Sequence, residues 1–113
     1  MDLHVEQRGD VLIIDPMETR IDAHVAPEFK RRGLELISQG HKKLLVDLSK
    51  VEFVDSSGLG ALVSFLKALG REGAIALVGM APTVREVFRL TRLERVFQIF
   101  PSVEEALQYL NSS

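Results

Sequence analysis

The 113-residue chain contains no cysteine. That excludes disulfides, thiol chemistry and any cysteine-ligated metal, and it is compatible with a reducing cytoplasm. No apolar run approaches the ~20 residues needed to span a bilayer. Asp2, His4 and Glu6 break up the start of the chain, so no secretory-leader pattern appears there. An excess of positive charge is missing too. Lys and Arg number 14 against 16 Asp and Glu, a net charge of −2, which removes the electrostatic case for nucleic acid as the main partner. These absences predict a cytoplasmic protein that neither inserts into a membrane nor binds nucleic acid.

Catalytic signatures are also absent. Ser56 is flanked by Asp55 and Ser57 rather than by the glycines of a hydrolase elbow. His4, His24 and His41 are scattered at the edges of expected elements. Gly58-Leu59-Gly60 would open a dinucleotide fingerprint, but Val63 stands where the third glycine belongs. No lysine follows in P-loop position, and the acidic residues show no metal-ligand spacing. The residues therefore point to a binding protein, not an enzyme, with no cofactor or metal of its own.

What is present is ordinary for one globular domain over residues 1–113: 46% hydrophobic and 27% charged residues. Residues 3–6 alternate apolar and polar, Arg8-Gly9-Asp10 reads as a tight turn, and Val11-Leu12-Ile13-Ile14 follows as a second strand. The chain thus opens with a hairpin. A loop over residues 17–23, anchored by Ile21, leads to a first helix starting near Ala26-Pro27. Phe29, Gly33, Leu36 and Ile37 line its inner face, and Gly40 stops it. Leu44-Leu45-Val46-Asp47-Leu48 and Ala74-Ile75-Ala76-Leu77-Val78 have the near-continuous apolar character of central parallel strands. Asp47 fits a strand-end carboxylate satisfied by backbone N–H groups. A third helix starts at Gly79-Met80-Ala81-Pro82, Leu93 and residues 96–100 form a loop leading to a short strand or extended segment, and Ser102 and Glu105 have capping-box spacing for a last helix. Residues 111–113 read as a frayed tail. The expected fold is α/β, with a mixed sheet of four to five strands and about four helices. The last helices are expected to cover different parts of the sheet from the first two.

The stretch Val54-Asp55-Ser56-Ser57-Gly58-Leu59-Gly60 joins a strand to a second helix, read over residues 59–69. Asp and Ser accept hydrogen bonds from the free N–H groups of a helix's first turn, and Ser57, directly before Gly58, is the expected cap. Gly58 and Gly60 lack Cβ and admit close approach. Two hydroxyls at a helix N-terminus suit a phosphate as well as a plain cap. Asp22 either caps the first helix or reaches the Ser56 loop. On a helical wheel Leu59, Leu62, Val63, Phe65, Leu66 and Leu69 share an apolar arc. Gly60, Ala61, Ser64 and Ala68 lie opposite, and Lys67 is the helix's lone charge. That small, uncharged face is expected to dock a partner.

Asp55-Ser56-Ser57-Gly58-Leu59-Gly60 resembles the signature of STAS domains, in particular the bacterial anti-sigma-factor antagonists. Arg20-Ile21-Asp22-Ala23, Leu45-Val46-Asp47-Leu48-Ser49 and Ala76-Leu77-Val78-Gly79 extend the resemblance over nearly the whole chain. Thr19 stands where such proteins often carry glycine. The resemblance implies phosphorylation at Ser56, with Asp22, Asp55, Ser57 and Gly58 as its supporting loop. It implies a serine-kinase anti-sigma factor as partner, which carries the ATP and Mg²⁺, and a phosphoserine phosphatase. The alternative is a structural STAS subunit of a lipid-transport complex or stress-signalling scaffold.

Overall fold

The computed structural model describes residues 1–112. The β-branched and leucine-rich runs form a five-stranded sheet ordered β1-β2-β4-β6-β7. β1 (His4–Arg8) and β2 (Val11–Asp15) are the antiparallel hairpin. Gly9 sits at its turn with φ +62°, a conformation that a residue with Cβ resists. β4 (Lys43–Asp47), β6 (Ala74–Val78) and β7 (Gln98–Phe100) add in parallel. Successive residues point to opposite sheet faces. Leu12, Ile14, Leu44, Val46, Ile75 and Leu77 therefore enter one core, and Val11, Ile13, Leu45, Ala76 and Val78 the other.

Helices α1 (Ala26–Ser38), α2 (Ser56–Leu69) and α3 (Pro82–Leu90) all pack on the first of these faces. α4 (Val103–Asn111) alone covers the second, through Ala106 and Leu110. α3 shares a face with α1 and α2, so of the two late helices only α4 lies on the other side of the sheet. The parallel strands add in one direction along the sheet, and right-handed crossovers then place every intervening helix on the same side. Only a helix after the last strand is free of that constraint. The proposed frayed tail is helical through Asn111, with Ser112 as its C-cap. Ser113 lies outside the described residues.

α1 and α2 pack closely because Gly33 has no side chain. A Cβ there would run into the Phe65 ring, which also meets Phe29 edge-on with centroids 5.2 Å apart. Within the segment read as a loop lies β3 (Arg20–Ile21), which pairs in parallel with β5 (Phe53–Val54) as a second, two-stranded sheet. Two-residue strands carry too little alternation to be seen in sequence. β5 nevertheless carries the chain into α2, with β3 paired beside it.

Candidate functional site

The serine pair stands at the start of α2, which begins at Ser56, three residues before the apolar periodicity does. Asp55 is the N-cap. Its backbone is extended (φ −100°, ψ −173°), and its Oδ1 accepts from the Gly58 N–H at 3.1 Å. The expected cap, Ser57, is instead the second helical residue. The apolar pattern misplaced the boundary because the first turn of α2 is polar and exposed on its outer side. Ser56 and Ser57 are both exposed. Their N–H groups belong to the first turn, where no intrahelical carbonyl reaches, and Asp55 caps only Gly58.

Gly58 and Gly60 play different parts. Gly58 is buried, and a Cβ on it would lie 2.5 Å from the Ile21 carbonyl oxygen and 2.8 Å from Val54 Cγ1. This glycine lets β3 run directly under the helix start. Gly60 is exposed, and a Cβ there would meet nothing within 4 Å. Ser64 is half-buried and donates its hydroxyl back to the Gly60 carbonyl at 2.9 Å. Ala68 is exposed beside Lys67. Ala61, placed by the wheel on this outer face, is only 2% exposed and belongs to the core. α2 lies against α1 on one flank and the sheet beneath, so its buried arc is wider than its large side chains mark out. An arginine at 61 would have to bury its charge. The outer face is thus Gly60, Ser64 and Ala68 without Ala61.

Asp22 follows β3. Its Oδ1 accepts from the His24 N–H at 3.0 Å, and its carbonyl accepts from Val25 and Ala26 at 3.0 and 2.7 Å. It shapes the turn into α1, whose formal N-cap is Val25. Desolvation pushes the Asp22 carboxyl up. Hydrogen bonds from the His24 and Val25 backbone, with the charges of His24 and Arg20, outweigh this and hold it below the ordinary carboxylate value. The link from this turn to Ser56 is the neighbouring backbone: Asp55 N–H donates to the Ile21 carbonyl at 3.3 Å. Thr19 adopts no left-handed conformation. The positive φ of this loop falls on Met17, at +57°. The Thr19 carbonyl accepts from Glu52 and Phe53, and the Arg20 guanidinium stacks 4.1 Å from the Phe53 ring centroid. Asp47 Oδ1 accepts from Ser49 N–H at 3.0 Å, as expected of a strand-end carboxylate.

Together these features define an α/β domain that displays a serine pair at a helix N-terminus, with a turn from a neighbouring strand locked beside it. The chain belongs to the STAS domain family, whose model matches residues 2–106, and to the anti-sigma factor antagonists within it. It is 35% identical over 101 residues to a Thermotoga neapolitana protein provisionally assigned as an anti-sigma factor antagonist, covering 88% of each chain. It is 33% identical over 81 residues to the anti-sigma-B factor antagonist of Listeria monocytogenes, covering 70% of each. A crystal structure of an anti-sigma factor antagonist from Mycobacterium paratuberculosis superposes with a TM-score of 0.89 at 28% identity, over 97% of this chain and 93% of that one.

Two stability measurements follow from the geometry. In urea unfolding, Asp55→Ala should lose about 0.5–2 kcal/mol as a cap deletion, whereas Ser57→Ala should stay within about 0.5 kcal/mol of the parent. Equal losses would contradict the cap assignment. The two glycines should respond with opposite signs. Gly58→Ala should destabilise by about 1–3 kcal/mol through overpacking, and Gly60→Ala should stabilise by about 0.5–1 kcal/mol by removing a glycine from a helix interior.

Proposed function

We propose that this chain is a phosphorylation-controlled antagonist whose partner is a serine-kinase anti-sigma factor, and that Ser56 is the switch. The observation that carries this reading is the setting of Ser56. Its exposed side chain stands at the first position of α2, beside an outer helix face of small residues whose one charge is Lys67. In the unphosphorylated state the chain docks on the anti-sigma factor through Gly60, Ser64 and Ala68, and the sigma factor is released. The partner supplies ATP and Mg²⁺, and with them the phosphoryl-transfer machinery. A phosphoserine phosphatase restores the docking form.

Phosphate on Ser56 adds about −1.5 to −2 charge at pH 7. Two effects then compete. The open N–H groups of Ser56 and Ser57 and the helix dipole stabilise the added charge by about 0.3–1 kcal/mol at an exposed site. Docking a close, nearly uncharged face would strip water from that phosphate, and Asp55 beside it supplies no counter-charge. Desolvating an unpaired charge costs several kcal/mol, so the second effect wins. The free domain keeps its fold because the side chain already points to solvent. The modification therefore acts by blocking the surface and needs no rearrangement.

Gly60 supports the docking face independently. A glycine inside a helix costs about 0.5–1 kcal/mol relative to alanine, and nothing in the fold requires one there, since the space beyond it is open. A local rule broken without structural return is characteristic of a functional position.

In calorimetric titrations against the cognate anti-sigma kinase, Ser56→Ala should bind like the parent and accept no phosphate, and Ser56→Asp should bind at least about tenfold more weakly. Equal affinities for all three forms would contradict the switch. In the same titrations Ser64→Arg should lose at least about tenfold in affinity, near 1.4 kcal/mol. Gly60→Ala should bind more weakly although it is the more stable protein. Normal binding by both folded variants would remove the outer face of α2 from the interface.

A further inference from the structure

Asp15 ends β2 and is the one buried charged or polar residue among those described, 7% exposed. Its two carboxylate oxygens have different tasks. Oδ1 accepts from the Met17 N–H at 2.9 Å, and Oδ2 accepts from Lys50 Nζ at 2.6 Å. Met17 is the residue held at φ +57°, which costs a non-glycine residue energy unless its surroundings enforce it. Lys50 lies in the tight turn after β4, closed by Val51 N–H on the Leu48 carbonyl at 3.0 Å. That turn is itself fixed. Asp47 holds the Ser49 N–H, and Gly79, at φ +75°, leaves room for Ser49 against β6. Asp47 also faces Lys50, whose ammonium is held above its ordinary value by the hydrogen bond and charge of Asp15 and by the charge of Asp47.

The two loops that the ion pair joins are those that deliver Ser56. Beyond Met17, the Thr19 carbonyl accepts from Glu52 and Phe53 N–H at 2.7 and 3.2 Å. Arg20 and Ile21 then pair with Phe53 and Val54, and the Ile21 carbonyl receives Asp55. These later hydrogen bonds are all between main-chain groups, and the side-chain contacts beside them are the Arg20–Phe53 stacking and the apolar packing of Ile21 and Val54. Main-chain groups are the same at every residue, so the hydrogen bonds of so short a ladder do not by themselves select its register, and buried Ile21 and Val54 hold only its inner face. The ion pair is different in kind, because it joins two particular side chains: buried Asp15 and half-exposed Lys50. We infer that the Asp15–Lys50 ion pair pins the register of the loop at 16–19 against the loop at 48–52, and so sets where Ser56 is presented. Both are positioning residues.

The test is amide hydrogen exchange by NMR on the whole chain, comparing Lys50→Met, Lys50→Arg and Asp15→Asn with the parent. In Lys50→Met the Phe53 and Asp55 amides should exchange at least about tenfold faster, while amides of β6 and α4 keep their protection. Lys50→Arg should restore most of that protection. Asp15→Asn, which keeps an acceptor for Met17 but no charge for Lys50, should follow Lys50→Met. Unchanged exchange at Phe53 and Asp55, or an equal rise in every element, would overturn the inference, the latter because it marks a merely structural pair. A second readout rests on the proposed function. As a substrate of the anti-sigma kinase, folded Lys50→Met should lose about tenfold in kcat with KM within about twofold, since docking on α2 survives and only hydroxyl placement suffers. Equal losses in KM and kcat would contradict the positioning role. If the parent itself accepts no phosphate on Ser56, the switch fails, and the exchange data still decide the register pin.

Discussion

The site depends on one backbone oxygen. The Ile21 carbonyl accepts the Asp55 N–H at 3.3 Å and occupies the space that a side chain on Gly58 would take. It lies at the end of a two-residue strand, under the first turn of a helix, and beside the start of the turn made by Asp22. Three sequence features meet there: the Arg20-Ile21-Asp22 segment, the Phe53-Val54 strand and the Asp55-Ser56-Ser57-Gly58 turn. None of the three forms a stable element alone. Two-residue strands lack the pairing to persist, and a helix start without its cap loses an acceptor for its first-turn N–H groups. Their mutual contact turns a flexible junction into a rigid platform, and Ser56 stands on it.

The core is conventional: two apolar layers separated by the sheet, with α1, α2 and α3 on one side and α4 on the other. One group of polar side-chain interactions gathers at the C-terminal ends of β2 and β4, where α/β sheets carry their sites. Asp15, Asp47 and Lys50 occupy that rim, and the loops leaving it carry Met17, Thr19 and Phe53 toward α2. The helix start then offers uncapped N–H groups to an anion, and its outer face offers small side chains to a partner. Under the proposed switch, a charge added at the first feature would interfere with docking at the second, because the two are adjacent on one helix.

Much of this was legible from the residues. The hairpin, the parallel strands, the starts of α1, α3 and α4, and the Asp47 carboxylate all follow from apolar runs, prolines, capping spacings and turn glycines. Four features were not legible, each for a physical reason. Ser57 looked like the cap because periodicity locates only the buried side of a helix, and the first turn of α2 is polar. Ala61 looked external because a wheel centred on large side chains underestimates the arc that a helix buries between another helix and a sheet. The β3–β5 pair and the Asp15–Lys50 contact join residues far apart in sequence, and no local pattern encodes such a contact. The lone signal was Asp15 closing an otherwise wholly apolar strand. A charged residue at that position calls for a partner without naming it.

The most direct measurement of the central claim is intact-mass analysis with phosphopeptide mapping, after incubation with the cognate anti-sigma kinase and ATP–Mg²⁺. The expected result is one phosphate per chain, confined to Ser56, with the amide spectrum outside residues 54–60 unchanged. A chain that acquires no phosphate, or carries it on Ser57 with Ser56 unmodified, would contradict the claim that Ser56 is the switch.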